Sequence, residues 1–128
     1  MGIEVTQKTW GVKYNIFQND LCEVSILELE PNRRCSFHMH KEKYNLFFVI
    51  EGELGVESEW PVDGAKMEHG LHRVGKHHFV TVRPRIPHNF VTFDKPTKII
   101  EIMYVVYDPE DIKRASIGGP TRKPEKKK

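Results

Sequence analysis

The sequence predicts an all-β domain, built as one sandwich or barrel. Three observations point to it. Apolar residues recur with a period of two, the period of a strand whose side chains alternate between faces. Turn signals interrupt those segments every eight to twelve residues, the spacing of short strands joined by tight connections. A length of 128 residues fits one domain around one core.

The elements follow in order. Residues 24–29, VSILEL, alternate as a strand and stop at Glu30-Pro31-Asn32. Residues 35–40 read as a short second strand. Residues 46–50, LFFVI, form a continuous apolar run, expected of a strand buried on both faces, and end at Glu51-Gly52-Glu53. Residues 54–58 return as the second arm of a hairpin. Residues 60–76 carry Pro61, Asp63-Gly64, Gly70 and Gly75 and read as an irregular connection or a loose hairpin. Strands follow at 79–82 and 89–93, then a turn at 94–97. Residues 99–107, rich in Ile, Val and Tyr, form a long last strand. A short C-terminal helix is expected over 109–115, with Asp108 as N-cap and Pro109 in its first position. Gly118-Gly119-Pro120 marks the end of ordered structure. The domain therefore spans 1–118, and 119–128 is a basic tail with little to bury.

His38-Met39-His40 is the first feature with chemistry in it. Residues two apart on a strand share a face. Both imidazoles then point one way, and Phe37 and Met39 point the other. Two imidazoles at that spacing can chelate one divalent ion. His88 follows Pro84-Arg85-Ile86-Pro87 and opens another strand. Two prolines stiffen the backbone there and fix where that side chain enters. Asn45 is the fourth candidate ligand, because a side-chain carbonyl can complete a shell of nitrogen and oxygen donors. His69 and His72 read as surface residues. His77 and His78 are adjacent, so at most one could face a site. Cys22 and Cys35 read as small buried hydrophobes; two cysteines make no disulfide framework.

Charge excludes several functions. Lys and Arg number 20 against 18 Asp and Glu. A formal charge of +2, much of it in the tail, is no basis for nucleic-acid binding. No apolar run approaches a membrane span, and the first ten residues lack the apolar core of a signal peptide. A cytoplasmic protein with reduced thiols is expected.

The stretch 31–52 resembles the first motif of the cupin superfamily, G-x5-H-x-H-x3,4-E-x6-G. His38 and His40 are its histidines, Gly52 is its closing glycine, and Asn45 stands at its acidic ligand. The stretch 75–92 resembles the second motif, G-x5-P-x-G-x2-H-x3-N. His88 is its histidine, while Arg83, Arg85 and Thr92 stand at its proline, glycine and asparagine. A wider likeness runs from about residue 8 to 118, to the cupin domain of type II mannose-6-phosphate isomerases. It rests on Thr9-Trp10-Gly11, on residues 29–36 (LEPNRRCS) and on residues 108–114 (DPEDIKR). That family usually has Gln at the position of His38 and Glu at that of Asn45. The resemblance implies a cupin barrel, also called a double-stranded β-helix or jelly roll. It further implies a metal on His38, His40, His88 and Asn45, and a homodimer.

Three neutral imidazoles and an amide oxygen would leave a divalent ion its full charge and make it a strong Lewis acid. Zn²⁺ is the first expectation, with Mn²⁺, Fe²⁺ and Ni²⁺ compatible with the same donors. Phe47, Val49 and Phe90 share the ligands' parity and would keep the pocket dry. Arg83 and Arg85 could hold a phosphate or carboxylate by forked hydrogen bonds. The leading expectation is a sugar-phosphate isomerase-like enzyme using Glu23, Glu51 or Glu101 as base. A non-catalytic cupin that binds or senses a small sugar or organic acid is the second. A metal-dependent dioxygenase is the third.

Overall fold

The computed structural model describes residues 2–61, 67–106 and 110–121. Nine strands run through them: β1 (Glu4–Lys8), β2 (Gly11–Gln18), β3 (Cys22–Leu29), β4 (Tyr44–Glu51), β5 (Leu54–Pro61), β6 (Met67–Val74), β7 (Phe79–Val82), β8 (His88–Thr92) and β9 (Thr97–Tyr104). They form a six-stranded sheet in the order β1-β2-β3-β9-β4-β7 and a three-stranded sheet in the order β6-β5-β8. Every strand pairing is antiparallel.

Alternation decides what faces inward. On β4 the burial pattern strictly alternates, with Asn45, Phe47 and Val49 buried. The large sheet also contributes Leu27, Leu29, Val82 and Ile99 to the core, and the small sheet contributes Leu54, Val56, Val74 and Phe90. Trp10 packs edge-on against Phe90, with ring centroids 5.2 Å apart. Gly11, next to it, has φ +148°, and a Cβ there would collide with the Glu28 carbonyl oxygen.

Several expectations are corrected. Residues 46–50 are not buried on both faces; one face is core and the other is half covered. Of the two readings of residues 60–76 the hairpin holds over the described part, since β5 and β6 pair from Leu54↔Val74 to Pro61↔Met67; residues 62–66 lie outside the described residues. Strand β1 grows from the β-rich Val5-Thr6 at the sheet edge, and β2 is an addition to the expected elements, on a largely exposed ribbon.

Residues 35–40 form no strand. They meet β8 at two isolated bridges, Arg34↔Val91 and His38↔His88. Four steps of chain on one side match three on the other, so the segment carries a one-residue bulge that breaks the ladder. The expected C-terminal helix is absent: residues 110–115 are described and contain none. So short a segment gains too few internal bonds to offset helix nucleation without a packed face. Its proposed cap, Asp108, and Pro109 lie outside the described residues, as does the tail from residue 122. No helix among the described residues is long and apolar enough to cross a membrane.

Candidate metal centre

The bulged segment and β8 bring the histidines together. His38 N–H donates to the His88 carbonyl at 2.9 Å, and His88 N–H donates back to the His38 carbonyl at 2.7 Å. Residues exchanging both bonds in an antiparallel pair stand directly opposite, with side chains on one face. Their ring centroids are accordingly 4.7 Å apart. His40 joins them at 5.0 Å from His38 and 5.8 Å from His88. One ring nitrogen from each of the three lies within 4.8 Å of the others, an arrangement that could hold a metal ion.

The tautomers are set by the backbone. His38 Nδ1 lies 2.7 Å from the Ser36 carbonyl oxygen, and His88 Nδ1 lies 2.9 Å from that of Ile86. A carbonyl can only accept, so Nδ1 carries the proton and Nε2 keeps its lone pair. Nε2 of His40 and of His88 is buried without a partner. Burial is also the main reason both rings lose basicity, His88 falling to about 4 and His40 shifting down as well. Both stay neutral at physiological pH, the form that binds metal.

Asn45 is fully buried on β4. Its Nδ2 donates to Glu101 Oε2 at 3.3 Å, and its Oδ1 has no partner. The carboxylate fixes that orientation, since only the amide nitrogen can donate. Glu101 sits on β9 between Ser25 and Phe47 in register. Burial raises its pKa, against the opposing bond from Asn45. The other two candidate bases are placed differently. Glu23 is ion-paired with Lys13 at 2.8 Å, and Glu51 is an exposed residue 4.0 Å from Lys76.

Phe47, Val49 and Phe90 are core residues as expected, and Phe47 lies 6.3 Å from the His88 ring. His69, His72, His77 and His78 are exposed and lie outside the cluster. Cys35 accepts a bond from Phe90 N–H, and burial pushes its thiol up to about 11, so it stays protonated. Arg83 and Arg85 separate. Arg83 lines a cavity between β5, β6 and β7, whereas Arg85 does not. Arg85 takes φ +67°, the left-handed conformation of the glycine it replaces in the motif, and its N–H donates to the His40 carbonyl at 2.6 Å. Sequence reasoning gave Arg85 a side-chain role; its backbone positions His40. Thr92 and Asn32 have structural roles beyond their motif and turn positions. Thr92 Oγ1 accepts from Arg33 N–H at 2.9 Å and donates to the Glu30 carbonyl at 2.6 Å. Asn32 sits at φ +56° and donates its N–H to the Phe93 carbonyl.

The architecture is similar to known structures. KdgF from Halomonas sp. matches at TM-score 0.64 and 11% identity, over 84% of this chain and 89% of that one. CapF from Staphylococcus aureus matches at 0.69 and 18%, over 87% of this chain and 30% of its own. An oxalate decarboxylase from Bacillus subtilis matches at 0.68 and 16%, over 80% and 27%. This is a cupin fold. The chain spans less than a third of the length of CapF and of the decarboxylase. No protein-family model matches it, and no curated protein matches it. Likeness at these identities establishes the barrel. The three-histidine cluster inside that barrel could hold a metal ion, and its nitrogen donors suit a divalent one.

Proposed function

We propose that the chain is a divalent-metal cupin catalysing proton transfer on a small carbonyl- or hydroxyl-bearing molecule, the chemistry of an isomerase. The observation that carries this reading is a set of buried ligand atoms without partners: Nε2 of His40 and His88, and Oδ1 of Asn45. Unsatisfied buried polar atoms cost about 1–3 kcal/mol each, and a cation held by the histidine cluster would satisfy the two imidazole nitrogens.

In this reading His38, His40 and His88 bind through Nε2, and Asn45 through Oδ1. The ion supplies Lewis acidity toward a carbonyl or hydroxyl oxygen when bound. Glu101 fixes the Asn45 amide and is the group that accepts and returns a proton. It is the one of the three candidate bases that bonds to Asn45, whereas Glu23 is ion-paired with Lys13 and Glu51 stands exposed near Lys76. Phe47 and Phe90 exclude water, which strengthens each polar interaction inside. Zn²⁺ suits the imidazoles, and the Bacillus subtilis oxalate decarboxylase among the similar structures has Mn(II) centres; elemental analysis chooses between them. Two copies of the chain would pair along β1, whose Ile3 and Val5 neighbourhood is exposed, a point that sedimentation velocity decides.

Protein purified without chelators is expected to carry about one equivalent of metal, as a single closed site requires, and His88→Ala to lose it. Unchanged metal in a folded His88→Ala protein would overturn the centre. Incubation of the metal-loaded protein with mannose 6-phosphate then reads the sugar-phosphate form of the activity by the appearance of fructose 6-phosphate.

A further inference from the structure

The two sheets end at β7 and β6, and a cavity of about 420 Å³ lies at that seam. Its volume falls in the range of small-molecule sites. Val56, Val80, Val82, Pro84 and Ile86 form most of its walls, and Ser58 and Thr81 add two hydroxyls. Its inner wall backs onto the histidine cluster, because Ser58 pairs with His88 and Val82 pairs with Asn45. Arg83 stands on its exposed rim with His72.

The cation is the informative feature. Arg33, Arg34 and Arg73 each face a carboxylate. Arg83, Arg85 and Arg114 have no ion pair among the described residues, and of these Arg83 alone lines the cavity, directly after a strand whose inward residues form its wall. A guanidinium left open at the mouth of an apolar pocket is suited to a carboxylate, which it can hold by two parallel bonds. The walls argue against a polyol. Each hydroxyl taken out of water needs a partner, and a hexose phosphate brings more hydroxyls than two wall hydroxyls can serve.

We propose that this cavity receives a small carboxylic acid with a branched apolar body, its carboxylate on Arg83, its body against Val80 and Val82, and its far end toward the histidines. The inference rests on the metal-centre reading for what happens at that far end; the binding itself rests on the cavity.

The test is calorimetric titration of 4-methyl-2-oxopentanoate and, separately, mannose 6-phosphate, into metal-loaded and metal-stripped protein. The oxo acid is expected to bind at least tenfold more tightly than the sugar phosphate. Arg83→Gln, at an exposed position, is expected to weaken the oxo acid at least tenfold, the scale of a charge-assisted pair. Val80→Phe, which fills the cavity from the edge strand, is expected to do the same, with circular dichroism checking that both variants fold. Equal or tighter binding of mannose 6-phosphate overturns the proposal, as does oxo-acid binding that is absent or indifferent to Arg83→Gln. Metal content of the same samples separates the two readings. Full metal without acid binding sinks this inference alone. Acid binding that needs Arg83 in a protein that takes up no metal sinks the centre and leaves this inference standing.

Discussion

In the proposed centre, Asn45 and Glu101 divide between them the roles a carboxylate ligand would have combined. A carboxylate at position 45 would bring charge to the ion directly. Here the charge sits one residue further out, and reaches the site through an amide whose nitrogen it holds at 3.3 Å. The amide without that carboxylate could turn either end toward the histidines, and only one end can bind a cation. Partners that orient a ligand typically affect metal affinity 10–100-fold. Glu101→Ala is therefore expected to weaken metal binding by about tenfold or more. Glu101→Gln, which keeps a carbonyl able to accept from Asn45, should stay within about threefold of the wild type, since the orienting bond survives. Chelator competition measures both. Equal affinities in the two variants would show that Glu101 does not orient Asn45.

At the scale of elements, the site depends on a segment that is not a strand. Residues 33–40 lie along β8 through separate hydrogen bonds: Cys35 N–H to Phe90, Thr92 N–H to Arg33, and the reciprocal His38–His88 pair. The Thr92 hydroxyl clamps the start of that segment at both Arg33 and Glu30. Thr92→Val keeps the shape and removes the clamp. A loss of about 1–2 kcal/mol in urea unfolding is expected from the unpaired groups, together with weaker metal binding, because His38 and His40 lie on the loosened segment. Unchanged stability and affinity would remove the clamp from the account. The same elements show what the sequence made legible. Proximity of His38, His40 and His88 was readable from spacing and from the prolines before His88. No regular strand forms over residues 35–40, but the bulge lies between Arg34 and His38, so the two-residue spacing of His38 and His40 still brings their rings together. Conformation was legible only where residue type reports it. Gly52 has φ +85°, and a Cβ there would approach the Pro96 carbonyl oxygen to 2.6 Å. Arg85 adopts a glycine-like backbone with a side chain that gives no hint of it. Only Val5-Thr6 of the β1–β2 ribbon reads as β-rich, because an exposed ribbon needs no apolar alternation, and Glu101 could not be chosen over Glu23 and Glu51 without knowing which carboxylate meets the Asn45 amide.

At the scale of the molecule, the candidate ligands come from three elements: the bulged segment, β4 directly after it, and β8, which lies far along the chain. They meet only when both sheets are closed over the core, so anything that binds them stabilises the whole fold. The fold in turn taxes the free ligands, since it holds His88 in a place where a charged ring is disfavoured. Its pKa falls from 6.5 to about 4 on folding, chiefly through burial, with the neighbouring His38 and His40 adding to it. The unfolded chain therefore binds more protons between those values, and stability rises with pH across that window. Stability is complete above about 6.5, declines as pH falls, and levels off below about 4, by about 3 kcal/mol in all. His40, also depressed, acts in the same direction. Glu101 opposes it, because a carboxyl raised by burial gains stability as it protonates. The contribution of His88 is isolated by comparing metal-stripped wild type with His88→Asn, which cannot titrate. The difference in unfolding free energy between them should shrink by about 3 kcal/mol between pH 7 and pH 4. A constant difference over that interval would mean that His88 is not held neutral by the barrel, and the argument that its Nε2 lone pair is kept ready for a metal would fall with it.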